Sequence, residues 1–346
     1  MNTMLETNSL DNKIDVIFFQ RKPRPGFNFS MEYIFSDVRN RLAGKISATV
    51  KISKYFNDVL PVKLYNIIEA GIKQGKGINH IIGEVHFLNF FMRKNHVILT
   101  IHDCNMVERK QGLSRLLIKN LYLCWPVKRA KYITCVSLFT KNQVVKYSKC
   151  AESKVLVIPV AVHPIFKPSE KEFNTLKPTI LHIGLGYNKN IFRLLDAIEG
   201  LSCHLSIVGE LSPGHIEALN AKGIDYSNSY NLSQEEIYQK YIDCDIMSFV
   251  STSEGFGMPI IEANCVERVV ITSNVSSMPE VAGNAACLVD PFDVASMREG
   301  FERLIADHDY RNKLIENGRL NRLRFDGDNI ANEYHKLYLK TLSELR

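Results

Sequence analysis

The sequence predicts an α/β protein made of two Rossmann-like units in tandem. Short apolar runs alternate with amphipathic stretches, the pattern of strands joined by crossover helices in parallel sheets. A break at 163–178, with Pro164, Pro168 and Pro178 among charged residues, interrupts the alternation as a linker does. The alternation then restarts. The length of 346 residues suits two domains of ordinary size. Two such units facing each other leave a ligand cleft between them, at the carboxyl ends of the strands.

In the first half, the apolar runs 15–19, 78–82, 97–101, 132–136 and 155–158 read as strands. The segment 45–53 alternates apolar and polar residues and reads as one more. Helix-like stretches lie between them at 31–41, 62–73, 113–124 and 138–149. In the second half, strands are expected at 179–183, 205–208, 246–250, 269–272 and 286–289, with helices at 191–199, 234–241, 259–265 and 294–306. The final stretch, 329–345, is helix-like, with Ile330, Tyr334, Leu337 and Tyr338 on one face.

Composition narrows the class. Hydrophobic residues are 45% and charged residues 23%, as in folded globular proteins, not in disordered or coiled-coil chains. No apolar stretch is long enough to span a membrane. Residues 1–13 are polar and do not read as a secretory signal. The eight cysteines form no C-x-x-C pair and read as reduced core thiols of a cytoplasmic protein. Net charge is +6 but unevenly placed: residues 1–172 carry 27 Lys+Arg against 13 Asp+Glu, the remainder 16 against 24. A basic first half suits an anionic substrate, a membrane surface or nucleic acid, or is simply a solvated face.

The most informative segment is Ser253-Glu254-Gly255-Phe256-Gly257-Met258-Pro259-Ile260-Ile261-Glu262-Ala263. It follows an apolar strand and opens a helix. Gly255 and Gly257 allow close backbone approach, and Pro259 suits a first helical turn. Free amides at such a helix start bind phosphate. Glu254 and Glu262 flank it and can accept hydrogen bonds from sugar hydroxyls. The plainer alternative makes Glu254 a cap and Glu262 a surface residue.

This segment resembles the E-x7-E motif of the family 4 glycosyltransferases, retaining enzymes of the GT-B fold. The likeness continues through 272–283 and Leu288-Val289-Asp290-Pro291, and upstream through 181–184 and Asn188-Lys189-Asn190. It is thinner in the first half, at Pro25-Gly26, Thr100-Ile101-His102-Asp103, Val136-Ser137 and Ile158-Pro159. The resemblance implies an acceptor-side domain over 1–167, a nucleotide-sugar domain over 172–328, and a last helix, 329–346, packing back on the first.

It also implies roles. Glu254 would contact the transferred sugar and Glu262 the ribose. The amides of Phe256, Gly257 and Met258 would face the sugar and diphosphate. Lys189 would neutralise the diphosphate, and Gly26 would approach it from the other domain. His102 would contact the transferred sugar, with His86 a weaker candidate. Relatives carry an arginine just before the lysine; here 184–188 has none, and Arg193 is the candidate replacement. A loop near 226–231 would read the base.

Two motifs are decoys. Asp243-Cys244-Asp245 has the form of a D-x-D metal motif but lies between a helix and a strand, a structural setting. Gly184-Leu185-Gly186 lacks the third glycine of a dinucleotide fingerprint. No acidic metal-ligand cluster remains, so neither a bound metal nor a cofactor is expected. The stretch 109–131 mixes Arg109, Lys110, Arg115 and Lys119 with leucines and Trp125, and reads either as a surface for anionic lipid or as a core helix with a basic outer face.

The expectation is a retaining hexosyltransferase, mannose among its fitting sugars. It would use a nucleotide sugar and a saccharide or polyprenyl-diphosphate-linked acceptor in polysaccharide or lipopolysaccharide O-antigen synthesis. It would work peripherally at the inner face of the plasma membrane. A nucleotide-sugar epimerase or a sugar phosphorylase shares the fold. A basic nucleic-acid-binding module fits the charge but lacks any helix-turn-helix, zinc-finger or aromatic RNA-binding signature, so nucleic acid is not an expected partner.

Overall fold

A computed structural model describes residues 13–23 and 30–345. Pro25-Gly26, and with it the candidate Gly26, lies outside the described residues. The first sheet contains β1 (Ile14–Gln20), β2 (Ile46–Ile52), β3 (Ile78–Ile81), β4 (Val97–Ile101), β5 (Tyr132–Cys135) and β6 (Val155–Val157), in the order β2-β1-β3-β4-β5-β6. The second contains β7 (Thr179–Ile183), β8 (His204–Val208), β9 (Tyr226–Ser229), β10 (Ile246–Phe249), β11 (Val269–Ser273) and β12 (Cys287–Val289), in the order β12-β11-β10-β7-β8-β9. Every strand pairing is parallel. The fold is therefore two doubly wound α/β units. Their order reverses between β1 and β3 in one sheet and between β7 and β10 in the other, and such switch points open crevices at the carboxyl ends of strands.

The first unit's helices are α1 (Ser30–Arg41), α2 (Leu60–Lys73), α3 (Asn105–Glu108), α4 (Gly112–Ile118), α5 (Trp125–Arg129) and α6 (Leu138–Ser148). The second unit's are α7 (Ile191–Ile198), α8 (Pro213–Ala221), α9 (Gln234–Asp243), α10 (Met258–Val266), α11 (Met278–Ala282), α12 (Val294–Ala306) and α13 (His308–Asn321). The central strands β3, β4, β5, β10 and β11 are buried throughout, which is why they read as continuous apolar runs.

The final helix, α14 (Gly327–Ser343), returns to the first sheet. Its buried Tyr338 hydroxyl lies 2.9 Å from His80 Nδ1, and His80 Nε2 lies 2.8 Å from Thr100 Oγ1. Arg41 pairs with Asp328 at 2.7 Å, and Lys131 with Glu344 at 2.7 Å. Buried polar groups placed like this need their partners, so the chain of His80, Thr100 and Tyr338 fixes the register of α14 on the sheet.

Three expectations are corrected. The helix expected over 113–124 is α-helical only to Ile118; Lys119–Cys124 winds as π-helix, carrying Leu123 into the core and Tyr122 against Phe87 (5.3 Å between rings). The base-reading loop near 226–231 is mostly strand: Tyr226–Ser229 forms the outer edge β9, whose polar sequence gave no strand signal. Helices α8 and α13 were not anticipated. Only Leu219 of α8 is buried, and α13 buries Arg311, Gly318 and Asn321 beside Leu314, so neither shows an apolar stripe.

Candidate active site

The loops after β7 and β10 meet at the second sheet's switch point. After β7 the chain turns through Gly184 (φ 90°) and a short 3-10 turn, Tyr187–Lys189, before α7. Asn190 then adopts a left-handed conformation, with its buried amide donating to the carbonyls of Val250 (3.1 Å) and Pro291 (2.7 Å). This clamp fixes Asn188 and Lys189 against the loop after β10. There Lys189 Nζ lies 2.8 Å from Glu254 Oε1, and Asn188 Nδ2 donates to the same oxygen at 2.9 Å. The ammonium also stands 4.6 Å from the centre of the Phe249 ring.

The motif's glycines have separate physical reasons. Gly257 has φ 142°, a conformation other residues rarely adopt, and it turns the chain into α10. Gly255 is needed for space: a Cβ there would stand 1.9 Å from the carbonyl oxygen of His102 on the first unit. The two units touch at this point. Ser137 Oγ, at the start of α6, donates to the Gly255 carbonyl at 2.6 Å, and Thr140 Oγ1 reaches the same oxygen at 3.1 Å. Glu280 of the second unit accepts from the amides of Leu138 (2.8 Å) and Phe139 (3.3 Å), completing the N-terminus of α6 from across the cleft. Ser277 Oγ donates to the Glu254 carbonyl at 3.0 Å and also contacts the Phe256 carbonyl, holding the loop from behind.

Glu262 lies on α10 and accepts from the buried Tyr241 hydroxyl of α9 at 2.6 Å. Burial pushes its carboxyl up to about 7, while the Tyr241 hydrogen bond and the charge of Lys189 pull the other way. At the start of α10 Pro259 has no N–H and the Ile260 amide donates to the Gly257 carbonyl at 3.0 Å, so the amide left for a ligand in the first turn is that of Met258. Phe256 is largely buried against Phe325 (5.6 Å), so only its backbone is available to a ligand.

On the facing unit, His102 follows β4. Burial, with His86 and Arg21 nearby, lowers its pKa to about 4, so the ring is neutral at pH 7. Its Nε2 is buried without a hydrogen-bond partner. His86 is instead tied to the carbonyl of Tyr122 through Nδ1 at 2.8 Å, a scaffold role. Asp103, beside His102, has a raised pKa from burial and from the fields of Glu84 and Glu254.

The remaining sequence candidates lie at the rim of this site or away from it. Arg193 donates to Asn190 Oδ1 at 3.0 Å and lies over the Phe292 ring at 5.6 Å. Arg109 reaches across to Asn188 Oδ1 at 3.4 Å, at the cleft rim. Lys110 is exposed, Arg115 lies over Tyr147 at 5.9 Å, and Lys119 opens the π-helical turn. Asp245 is engaged by the fold, pairing with Lys171 at 2.9 Å and accepting from the amides of Asn174 (3.2 Å) and Thr179 (2.8 Å). Among the described residues, no group of three or more His, Cys, Asp or Glu is arranged to hold a metal ion. Sequence reasoning missed Asn188, Tyr241 and Asp103 as parts of this site. Asn188 had a local signal, next to Lys189; Tyr241, on another helix, had none.

Comparison with known proteins agrees with the fold. Residues 166–321 match the family model of glycosyl transferases group 1. The chain is 25% identical over 228 residues to the serotype-specific mannosyltransferase WbdA of Escherichia coli, covering 59% of this chain but only 28% of WbdA. Its fold is similar to sucrose-phosphate synthase from Thermosynechococcus elongatus (TM-score 0.80, 15% identity, 96% of this chain and 100% of the other). It is also similar to Anabaena HepE in complex with UDP and glucose (TM-score 0.75, 15% identity, 95% and 100%). The fold is GT-B, and residues 166–321, in the second unit, are similar to the group 1 glycosyl transferases.

Proposed function

We propose that this protein transfers a hexose from a nucleotide sugar to a saccharide or polyprenyl-diphosphate-linked saccharide, with retention, in cell-surface polysaccharide or lipopolysaccharide synthesis. The observation that carries the reading is the Lys189–Glu254 pair, 2.8 Å apart in front of the α10 N-terminus, with the carboxyl of Glu262 on the same helix. In that place a nucleoside diphosphate finds a cation and the amides of Gly257 and Met258 for its phosphates and a carboxylate for its ribose. WbdA's name supports mannose as one sugar to test, and the HepE complex supports UDP as one nucleotide.

In the proposed reaction, the bond from the sugar's anomeric carbon to the phosphate oxygen breaks. A bond from the same carbon to the acceptor oxygen forms on the same face. The acceptor's proton passes to the departing phosphate oxygen. Lys189 and the amides of Gly257 and Met258 stabilise the charge growing on the diphosphate. Glu254, released from Lys189 when phosphate takes its place, accepts from the sugar's hydroxyls. Neutral His102 offers its ring nitrogen from the acceptor side. We place no metal in this scheme, and contact with the inner membrane leaflet through Arg109, Lys110, Arg115 and Lys119 belongs to it.

The test is a panel of nucleotide sugars scored for protection against thermal unfolding, followed by release of nucleoside diphosphate. Release that depends on an acceptor sugar is expected. Conversion of donor without acceptor would indicate an epimerase, and dependence on inorganic phosphate a phosphorylase. Transfer is expected to persist in saturating chelator; its loss, with rescue by magnesium or manganese, would overturn the metal-free scheme.

A further inference from the structure

We infer that α2 is a membrane-facing element of the first unit, adding an apolar seat on an anionic phospholipid surface beside the acceptor cavity to the basic contact at 109–119. The inference rests on the proposed glycosyl transfer for the acceptor's identity, and on the surface itself for everything else.

Helix α2 is apolar on two sides. One side, with Ile67 and Ala70, packs on the core. The other presents Leu60 (63% exposed), Leu64 (49%), Ile68 (50%) and Ile72 (79%) to solvent. These residues are four apart, so they form one stripe along the helix. Phe91, 63% exposed, extends the stripe where its Cβ crosses Gly71 at the C-terminal end of the helix. Phe90 in turn packs on exposed Trp125, 6.3 Å between rings. A contiguous apolar face of this kind is uncommon on a monomer unless something covers it.

The charges around the stripe select the occupant. Residues 51–76 carry Lys51, Lys54, Lys63, Lys73 and Lys76 against only Asp58 and Glu69. Lys54 lies over the rings of Tyr55 (5.3 Å) and Tyr65 (5.5 Å), and Lys63 over Tyr122 (5.4 Å). Long stems lying on aromatic rings beside an apolar stripe suit an interface between hydrocarbon and lipid headgroups. A second copy of the chain would bring the same positive rim and be repelled; an anionic bilayer is complementary to it.

The stripe also leads to the cleft. A cavity of about 360 Å³ lies beyond the carboxyl ends of β1, β2 and β3, with Phe56, Asp58, Glu84, Phe87 and Tyr122 in its wall. The rings of Phe56 and Tyr122 can stack on a sugar, and Glu84, paired with Arg21 at 3.2 Å, can accept from hydroxyls. Part of that wall, 56–58, runs directly into α2, and Asn66 of α2 donates to the Tyr55 carbonyl (3.1 Å) and Asn57 Oδ1 (2.9 Å). A bilayer touching α2 would therefore deliver a lipid-linked saccharide at the cavity, whereas a freely diffusing acceptor gives this face no use.

The test is sedimentation of the full chain with vesicles of phosphatidylcholine alone or mixed with phosphatidylglycerol, at low and high salt. Binding to the anionic vesicles is expected to exceed binding to neutral ones by about tenfold or more, and to fall with salt. The double variant Leu64→Glu, Ile68→Glu should lose about tenfold or more of that binding. Both side chains face solvent, so its melting temperature serves as the check on folding. The control Leu320→Glu, Leu323→Glu, exposed on the second unit, should retain most of it. An α2 variant that sediments like the wild type, or a wild type that binds neither vesicle, overturns the inference. So does a wild-type dimer that the α2 variant splits. Protection by UDP or GDP is measured separately: vesicle binding lost in the α2 variant with no nucleotide protection in either protein would leave α2 standing and remove the transfer reading.

Discussion

Glu262 and Glu254 are both carboxylates of one motif, yet the structure gives them different surroundings. Glu254 is paired with Lys189, while Glu262 is half-buried against Tyr241 and held up to about 7. Ribose hydroxyls donate best to the ionised form, so binding favours loss of the Glu262 proton. Nucleotide affinity is then expected to weaken as pH falls below about 7, by up to about tenfold per unit. Calorimetric titration of a nucleoside diphosphate across that range checks it. The Glu262→Gln variant, in which this titration is absent, separates it from the ligand's own. Glu262→Ala should mainly weaken nucleotide binding and Glu254→Ala mainly lower turnover, each by about 1.5–3 kcal/mol, the cost of a charge-assisted hydrogen bond. Near-normal affinity and turnover in both would remove these assignments.

At the scale of elements, the start of α10 is shaped by its neighbour across the cleft as much as by its own turn. Gly255 leaves room for the carbonyl of His102, and its own carbonyl is held by Ser137 and Thr140 of α6. Gly255→Ala is expected to force the units apart. Overpacking of this kind costs about 1–3 kcal/mol. Turnover should fall by about tenfold or more while nucleotide protection, which depends on the second unit, persists. Steady-state rates and thermal unfolding together check it. Element identity was legible where burial was continuous or periodic: β4, β7 and α12 occupy the spans that their apolar pattern marks. It was not legible where an element is polar and half-exposed, as in β9, α8 and α13, because their stability comes from neighbours and not from an apolar face of their own.

At the scale of the whole molecule, the two units are joined by the 163–178 connection, by the return of α14, and by the contacts at Gly255 and Glu280. A donor diphosphate held between them should draw them together. Small-angle scattering is expected to show a smaller radius of gyration with saturating nucleotide. An unchanged radius would mean that the contacts at Gly255 already set the working separation. Glu280→Ala, which leaves the α6 amides uncapped from across the cleft, should enlarge the radius in the free protein.

By itself, the sequence determined the doubly wound units, the glycine-rich helix start and the pairing of Glu254 with Glu262 in one motif. These are local: they follow from runs of apolar residues, from φ at glycine and from spacing along one turn and one helix. Only the tertiary structure decided that Asn188 and Lys189 close on Glu254, that Tyr241 holds Glu262, and that Gly255 meets His102. It alone also decided which apolar residues of α2 the core leaves exposed. Each of these joins positions far apart in the chain. Periodicity marks an apolar residue without saying which neighbour covers it, so such contacts exist only once the sheets are assembled and the two units meet.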